Sequence, residues 1–295
     1  MKEFINYLII GVANGFVYSM IAIGFILIFK CSKIFNLAQS EMIILGAYLF
    51  YAATVQLKLP LIIGIFIPIG IGVILSLMIE RFLLRSLIGK PIVPIIILTL
   101  ALGGFLRGCM ILFWGPELLS LPSLFPKGGV QIGKIAILSY THLLFIFVSL
   151  GFILLLGTYY RYSRSGLAMR VTADDAIVAR VLGVKVNRVL AMSWIIASLV
   201  GAVGGILLTS LTGIHYLAAE VGFKSMSVAL LGGMESLAGT VVMGPFFGIV
   251  ETLLAAYLDP FVGGGLSEVS AFFVLLIVLI FRPHGIFGWK TIERV

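Results

Sequence analysis

The chain has 295 residues, 61% of them apolar and only 11% charged, with a net charge of +8. Soluble domains carry about 25% charged residues, so a soluble globular protein is excluded. Nor does the positive charge make a nucleic-acid face, because the basic residues are scattered through short stretches between long apolar runs.

In chain order, apolar runs occupy residues 6–29, 35–55, 61–79, 92–113, 138–160, 189–211, 240–258 and 268–282, and 222–238 is a further candidate. A helix needs roughly 20 residues to cross a hydrocarbon core. The runs are continuous, whereas strands of a membrane barrel alternate in polarity, so each is read as a helix. The first run follows Lys2 and extends to Phe29, longer than the apolar core of a signal peptide, which predicts a retained first helix.

Basic residues follow the first run (Lys30, Lys33), the third (Arg81, Arg85, Lys90), the fifth (Arg161, Arg164, Arg170, Arg180, Lys185, Arg188) and the last (Arg282, Lys290, Arg294). Basic loops stay on the cytoplasmic side, which places the N-terminus outside and the C-terminus inside. That parity requires an odd number of crossings, so either 222–238 crosses or another segment is re-entrant. The expected fold is an all-α integral membrane protein. It is a polytopic bundle of about eight to nine transmembrane helices with broken or re-entrant segments, forming a single transmembrane domain over 1–295.

Two connections stand out. Residues 114–137 are rich in proline and glycine and form the longest outer loop. Residues 161–188 form the longest inner loop, which is charged and contains helix formers. Thr172 or Asp174 is the expected N-cap there and Gly183 the expected stop, giving a short amphipathic helix at the cytoplasmic face.

Small residues pair as Gly11/Gly15, Gly201/Gly205 and Gly244/Gly248, a spacing that lets helix backbones approach closely in lipid. Pro68 and Pro245 fall within spans, where they are expected to kink or break a helix.

Polar side chains in the spans carry the functional question, because a charge at the bilayer centre costs about 2.5–3.5 kcal/mol on insertion scales. Asn36, Gln39, Ser40 and Glu41 open the second run. They either tie helices together by hydrogen bonds or line a water-filled route, with Asn14, Tyr18 and Ser19 as candidates for a facing wall. Glu235 and Ser236 follow Gly232-Gly233, which reads as a backbone break, and Glu251 lies in the next run. Arg107, the one basic residue deep in a run, is expected to pair with one of these acids.

Catalytic signatures are missing: the sequence contains no HExxH, GxSxG or GxxxxGK[ST] pattern. His142, His215 and His284 are isolated, and Cys31 and Cys109 have no metal or redox spacing, so no enzyme, metal site or nucleotide site is expected on this chain.

Three stretches together resemble the permease subunit of branched-chain amino-acid type ABC importers. They are Asn36-Leu37-Ala38-Gln39-Ser40-Glu41 with the following LGAY, residues 165–207, and LLGGMESLAGTVVMGPFFGIVE with the closing RPHGIFG. The resemblance implies an all-helical permease working with a second permease subunit, two cytoplasmic ABC ATPase subunits and an extracytoplasmic substrate-binding protein. It implies ATP and Mg on the ATPases, no cofactor on this chain, and residence in a bacterial or archaeal plasma (inner) membrane. It also assigns the 161–188 loop to ATPase coupling, with Asp174, Asp175, Arg180 and Gly183 as candidates. The substrate-pathway candidates are Asn14, Tyr18, Asn36, Gln39, Ser40, Glu41, Glu235 and Ser236. Gln39-Ser40 stand where the family has His-Gly, and Glu235 where it has Gly, so the cargo stays open between amino acids and related small polar solutes. The alternative class is an ion-gradient-driven secondary transporter using Glu41, Glu235 or Glu251 as a relay.

Overall fold

The computed structural model describes residues 2–85, 91–121, 128–132, 136–262 and 265–288. Lys90, Lys290, Arg294 and parts of the 114–137 connection fall outside them. Among the described residues, six helices are long and apolar enough to cross a membrane. They are α1 (Lys2–Ser32), α3 (Leu61–Met78, continued by a π-helical turn Ile79–Leu84), α4 (Ile92–Trp114), α5 (Tyr140–Tyr162), α8 (Val186–Thr212) and α10 (Leu237–Val262). The shorter helices α2 (Gln39–Tyr51), α9 (Glu220–Gly232) and α11 (Leu266–Phe281) fall in the other three expected runs. The all-helical polytopic expectation therefore holds. Among the described residues the local exception is a hairpin between α4 and α5, β1 (Gly129–Ile132) paired antiparallel with β2 (Ala136–Ser139).

The chain forms two compact units, residues 1–26, 124–153 and 223–295 in the first and residues 27–123 and 154–222 in the second.

In the first unit, α1 and α10 cross glycine against glycine. A Cβ on Gly11 would lie 2.6 Å from Ile249 Cα, and one on Gly15 would overlap Gly244 and 2.5 Å from Pro245 Cα. Both small-residue pairs thus serve backbone contact, as their spacing predicts. Pro245 has no N–H for the carbonyl of Val241, four residues back. The hydroxyl of Ser19 on α1 donates into this region, to Thr240 O at 3.0 Å and Val241 O at 3.4 Å. Proline is tolerated inside this span because a neighbouring helix attends to the freed carbonyl.

The break after α9 is also compensated. Gly233 takes a left-handed φ of 87°, and the closing segment folds back so that Ile286 N–H donates to Leu231 O at 2.9 Å. A Cβ on Gly233 would stand 2.6 Å from Gly288 N, so the glycines of the closing RPHGIFG permit this docking.

In the second unit, α8 is the central element and packs against α2, α3 and the small helices that precede it. Its Gly205 lies directly under Ile43 of α2, and Gly46 of α2 lies against Ala202. An apolar core of Ile28, Ile34, Met42, Ile95, Leu106 and Trp194 fills the space around this contact. The second run begins later than expected. Lys33 takes a φ of 55° and ends α1, and residues up to Ala38 stay non-helical before α2 starts.

Residues 161–188 hold two helices rather than one. Ser163 caps α6 (Arg164–Asp174) by accepting from Gly166 N–H at 2.8 Å. Asp175 is extended, and one carboxylate oxygen accepts from Ile177 N–H at 2.7 Å and Val178 N–H at 3.0 Å, starting α7 (Ala176–Val181). The cap is therefore Asp175, not Thr172 or Asp174. Thr172 donates back to Ala168 O within α6 instead. Gly183, at φ 84°, ends α7 as predicted, with Val184 N–H returning to Ala179 O at 2.9 Å.

Candidate functional site

The polar cluster at the start of α2 is buried in the second unit, with Asn36, Gln39, Ser40 and Glu41 all nearly inaccessible. Each is held differently. Gln39 Nε2 donates to Ala197 O of α8 at 2.9 Å, and its Oε1 accepts from Asn36 Nδ2 at 3.2 Å. Ser40 lies against Gly222, whose missing side chain makes room for it. Glu41 receives Arg107 of α4, with Nε 3.0 Å from Oε1 and Nη2 bonded to the same oxygen. Gly103, one turn before Arg107, passes close to the Glu41 methylenes. The cluster thus ties α2 to both α4 and α8, and Arg107 finds the acidic partner expected of it.

Enclosed acceptor atoms remain. Asn36 Oδ1, Ser40 Oγ and Glu41 Oε2 are buried and have no hydrogen-bond partner among the described residues. Such groups are costly in a low-dielectric interior unless some state of the protein satisfies them.

A second polar cluster lies in the first unit. Lys224 of α9 pairs with Glu251 of α10 at 2.5 Å, both largely buried. Tyr18 of α1 lies beside Glu251 and packs edge-on against Phe247 with ring centres 5.8 Å apart. Asn14, one turn away on α1, encloses an Oδ1 that lacks a partner among the described residues. Sequence reasoning missed Lys224 because 222–238 was an uncertain span. The available signal was a lone lysine in an otherwise apolar, small-residue stretch.

Glu235 is exposed in the turn between α9 and α10, and Ser236 caps α10 by accepting from Gly239 N–H at 3.0 Å. These two sit in the connection itself, not among the buried pairs.

The α6–α7 segment presents a different surface. Asp174, Asp175, Arg180 and Gly183 are exposed, and so are the apolar side chains Ile177 (74%), Val181 (83%) and Leu182 (69%) of α7 and its end. An exposed apolar patch of this kind marks a protein or membrane contact surface. Among the described residues no group of three or more His, Cys, Asp or Glu side chains is placed to hold a metal.

Comparisons with known proteins converge. The family described as "Branched-chain amino acid transport system / permease component" matches residues 7–281. The high-affinity branched-chain amino acid transport system permease protein LivH of Escherichia coli (strain K12) is 29% identical, over 99% of this chain and 98% of that protein. BraD of Pseudomonas aeruginosa, named for the same role, is 28% identical over the same shares. The archaeal Methanocaldococcus jannaschii protein named as a probable LivH permease is 25% identical over 94% of this chain and 90% of its own. Among solved structures, PsaBC from Streptococcus pneumoniae in complex with Fab shares the fold, with a TM-score of 0.51 and 20% identity over 95% of this chain and 91% of that one.

Proposed function

The chain belongs to the permease-component family of branched-chain amino acid transport systems, and from that premise we propose how this ABC importer permease works and what it carries. The cargo is a branched-chain amino acid or a closely related small polar solute. The working assembly contains a second permease subunit, two cytoplasmic ATPases that bind ATP and Mg, and an extracytoplasmic binding protein. The chain lies in the plasma membrane of a bacterium or archaeon, with its N-terminus outside and its C-terminus inside.

The observation that carries this reading is the exposed apolar face of α7. An exposed apolar face marks a protein or membrane contact, and a permease driven by a separate ATPase supplies a partner for it. Asp175 fixes the start of α7 and Gly183 its end, so a push on the helix passes into α8 rather than being lost in a loose loop. Asp174 and Arg180 flank the apolar face and supply polar contacts at its rim.

Asn14, Tyr18, Asn36, Gln39, Ser40, Glu41, Glu235 and Ser236 are assigned to the substrate route. The cost of polar side chains facing lipid supports the assignment, as do the enclosed acceptors on Asn14, Asn36, Ser40 and Glu41. Alternating access then presents these groups to one side and the other as ATP is hydrolysed by the partners. No observation favours an ion relay: Glu41 and Glu251 are each held by a basic residue.

The direct test replaces Ile177 and Val181 with glutamate together. Loss of co-purifying ATPase, with the permease still folded, supports docking through α7. Full retention of the ATPase contradicts it.

A further inference from the structure

Where α6 and α8 meet, at the ends of the spans formed by α5 and α8, the second unit contains a cavity of about 350 Å³. Its lining includes the exposed residues Arg164, Ser165, Lys185 and Arg188, and the less exposed apolar residues Met169 and Met192. No acidic side chain lines it.

The three cations differ from their neighbours in how they are used. Arg170 donates to the carbonyls of Tyr160 and Arg161, Arg161 lies over the Tyr162 ring, and Arg85 pairs with Glu80. Arg164, Lys185 and Arg188 are exposed and make no ion pair among the described residues. Arg164 and Ser165 also occupy the first turn of α6, where backbone N–H groups lack carbonyl partners within the helix and the helix dipole favours an anion. The exposed part of the lining is thus built for an anionic group, and the apolar part suits a hydrocarbon stem.

Position selects the ligand. Arg188 lies in the first turn of α8, and Met192 lies one turn further into the span. A ligand seated here has its charge at the headgroup level and its apolar part directed into the bilayer. We propose that this cavity binds the phosphate headgroup of an anionic membrane phospholipid, with Arg164, Lys185 and Arg188 on the phosphate and Met169 and Met192 against the glycerol and first methylenes. Basic pockets beside transmembrane helices on the cytoplasmic side recognise such headgroups in this way. Because α6 and α8 both line the site, a bound lipid braces the segment assigned to ATPase coupling. The lipid site itself stands without that assignment.

The test uses the full-length chain extracted from its membrane and placed in nanodiscs of phosphatidylcholine with a minority of phosphatidylglycerol. Retained lipid is read by native mass spectrometry. Wild-type protein is expected to keep phosphatidylglycerol selectively, and the variant Arg164→Gln/Lys185→Gln/Arg188→Gln to lose it. Each surface cation contributes roughly fivefold, so the triple change costs on the order of 100-fold in retention. Arg188→Gln alone, at an exposed position, gives a partial loss in a folded protein, and Arg164→Lys/Arg188→Lys keeps the lipid. Equal retention by wild type and triple variant overturns the proposal. So does displacement of the lipid by millimolar inorganic phosphate, which identifies a free-phosphate site. Loss of co-purified ATPase with unchanged lipid retention overturns it as well, because the cations then serve a protein contact. ATPase association is measured separately, so failure of the lipid site leaves the importer reading untouched.

Discussion

Arg107 reaches across from α4 to place its guanidinium on Glu41 of α2, and the two ends of this ion pair are unequal. The Glu41 side chain is 5% exposed, whereas that of Arg107 is 38% exposed. Removing a partner from a buried pair is damaging chiefly because it strands the other charge.

That inequality predicts an order of damage. Arg107→Leu strands the buried carboxylate and is expected to cost about 3 kcal/mol. Glu41→Gln keeps an amide oxygen that can still accept from the guanidinium, and costs clearly less. Thermal unfolding in detergent of both variants checks the order, and equal loss contradicts the asymmetry. Glu41→Gln is nonetheless expected to impair uptake while assembly stays intact. Normal uptake by that variant would leave Glu41 a structural role only.

The hydroxyl of Ser19 and the missing N–H of Pro245 form a coupled pair. Ser19→Ala removes a donor from the Thr240 and Val241 carbonyls and is expected to destabilise by about 1 kcal/mol. Pro245→Ala restores a backbone donor for Val241, so in that background Ser19→Ala should cost less. A double-mutant cycle on melting temperature measures this, and strict additivity would refute the coupling.

Close glycines should be far more sensitive than open ones. Gly205→Ala forces a methyl into the Ile43 carbonyl, and Gly222→Ala forces one into Ser40. Both are expected to lower folded yield severely, because backbone or a buried side chain must move. Gly104→Ala and Gly151→Ala meet nothing within 4 Å and should be silent. Fluorescence-detected gel filtration of the four variants separates the classes.

The capped α7 helix gives a prediction about coupling. Asp175→Ala removes both N-cap bonds, worth about 1 kcal/mol locally, and should lower ATP-driven uptake more than it lowers protein level. Asp175→Asn keeps an accepting oxygen and should retain most of the activity. Uptake normalised to membrane abundance distinguishes the two.

The spans were legible because a run such as 61–79 has one physical meaning at this length and polarity. The glycine pairs were legible for a similar reason, since close backbone approach is the common use of their spacing, and both Gly11/Gly15 and Gly244/Gly248 serve it. The expectation that Arg107 finds an acid followed from the cost of an unpaired charge. Which acid it finds did not, because that depends on how α2 and α4 pack. Lys224 was hidden because the run 222–238 is shorter than the roughly 20 residues a span needs, so its lysine was not weighed as an intramembrane charge. The split of residues 161–188 at Asp175 was also hidden. Asp174 and Asp175 are chemically identical, and only the extended backbone of the second turns its carboxylate onto the α7 amides. The hairpin at 129–139 depended on pairing between two four-residue segments, too short to show a period.

The most direct measurement reconstitutes the purified chain into proteoliposomes with and without the ATPase that co-purifies with it from native membranes, and follows uptake of radiolabelled leucine supplied with its binding protein. The expected result is uptake that requires the ATPase and ATP, and that falls away in the Ile177→Glu/Val181→Glu variant. Uptake by this chain alone, driven by a proton or sodium gradient and indifferent to ATP, would contradict it.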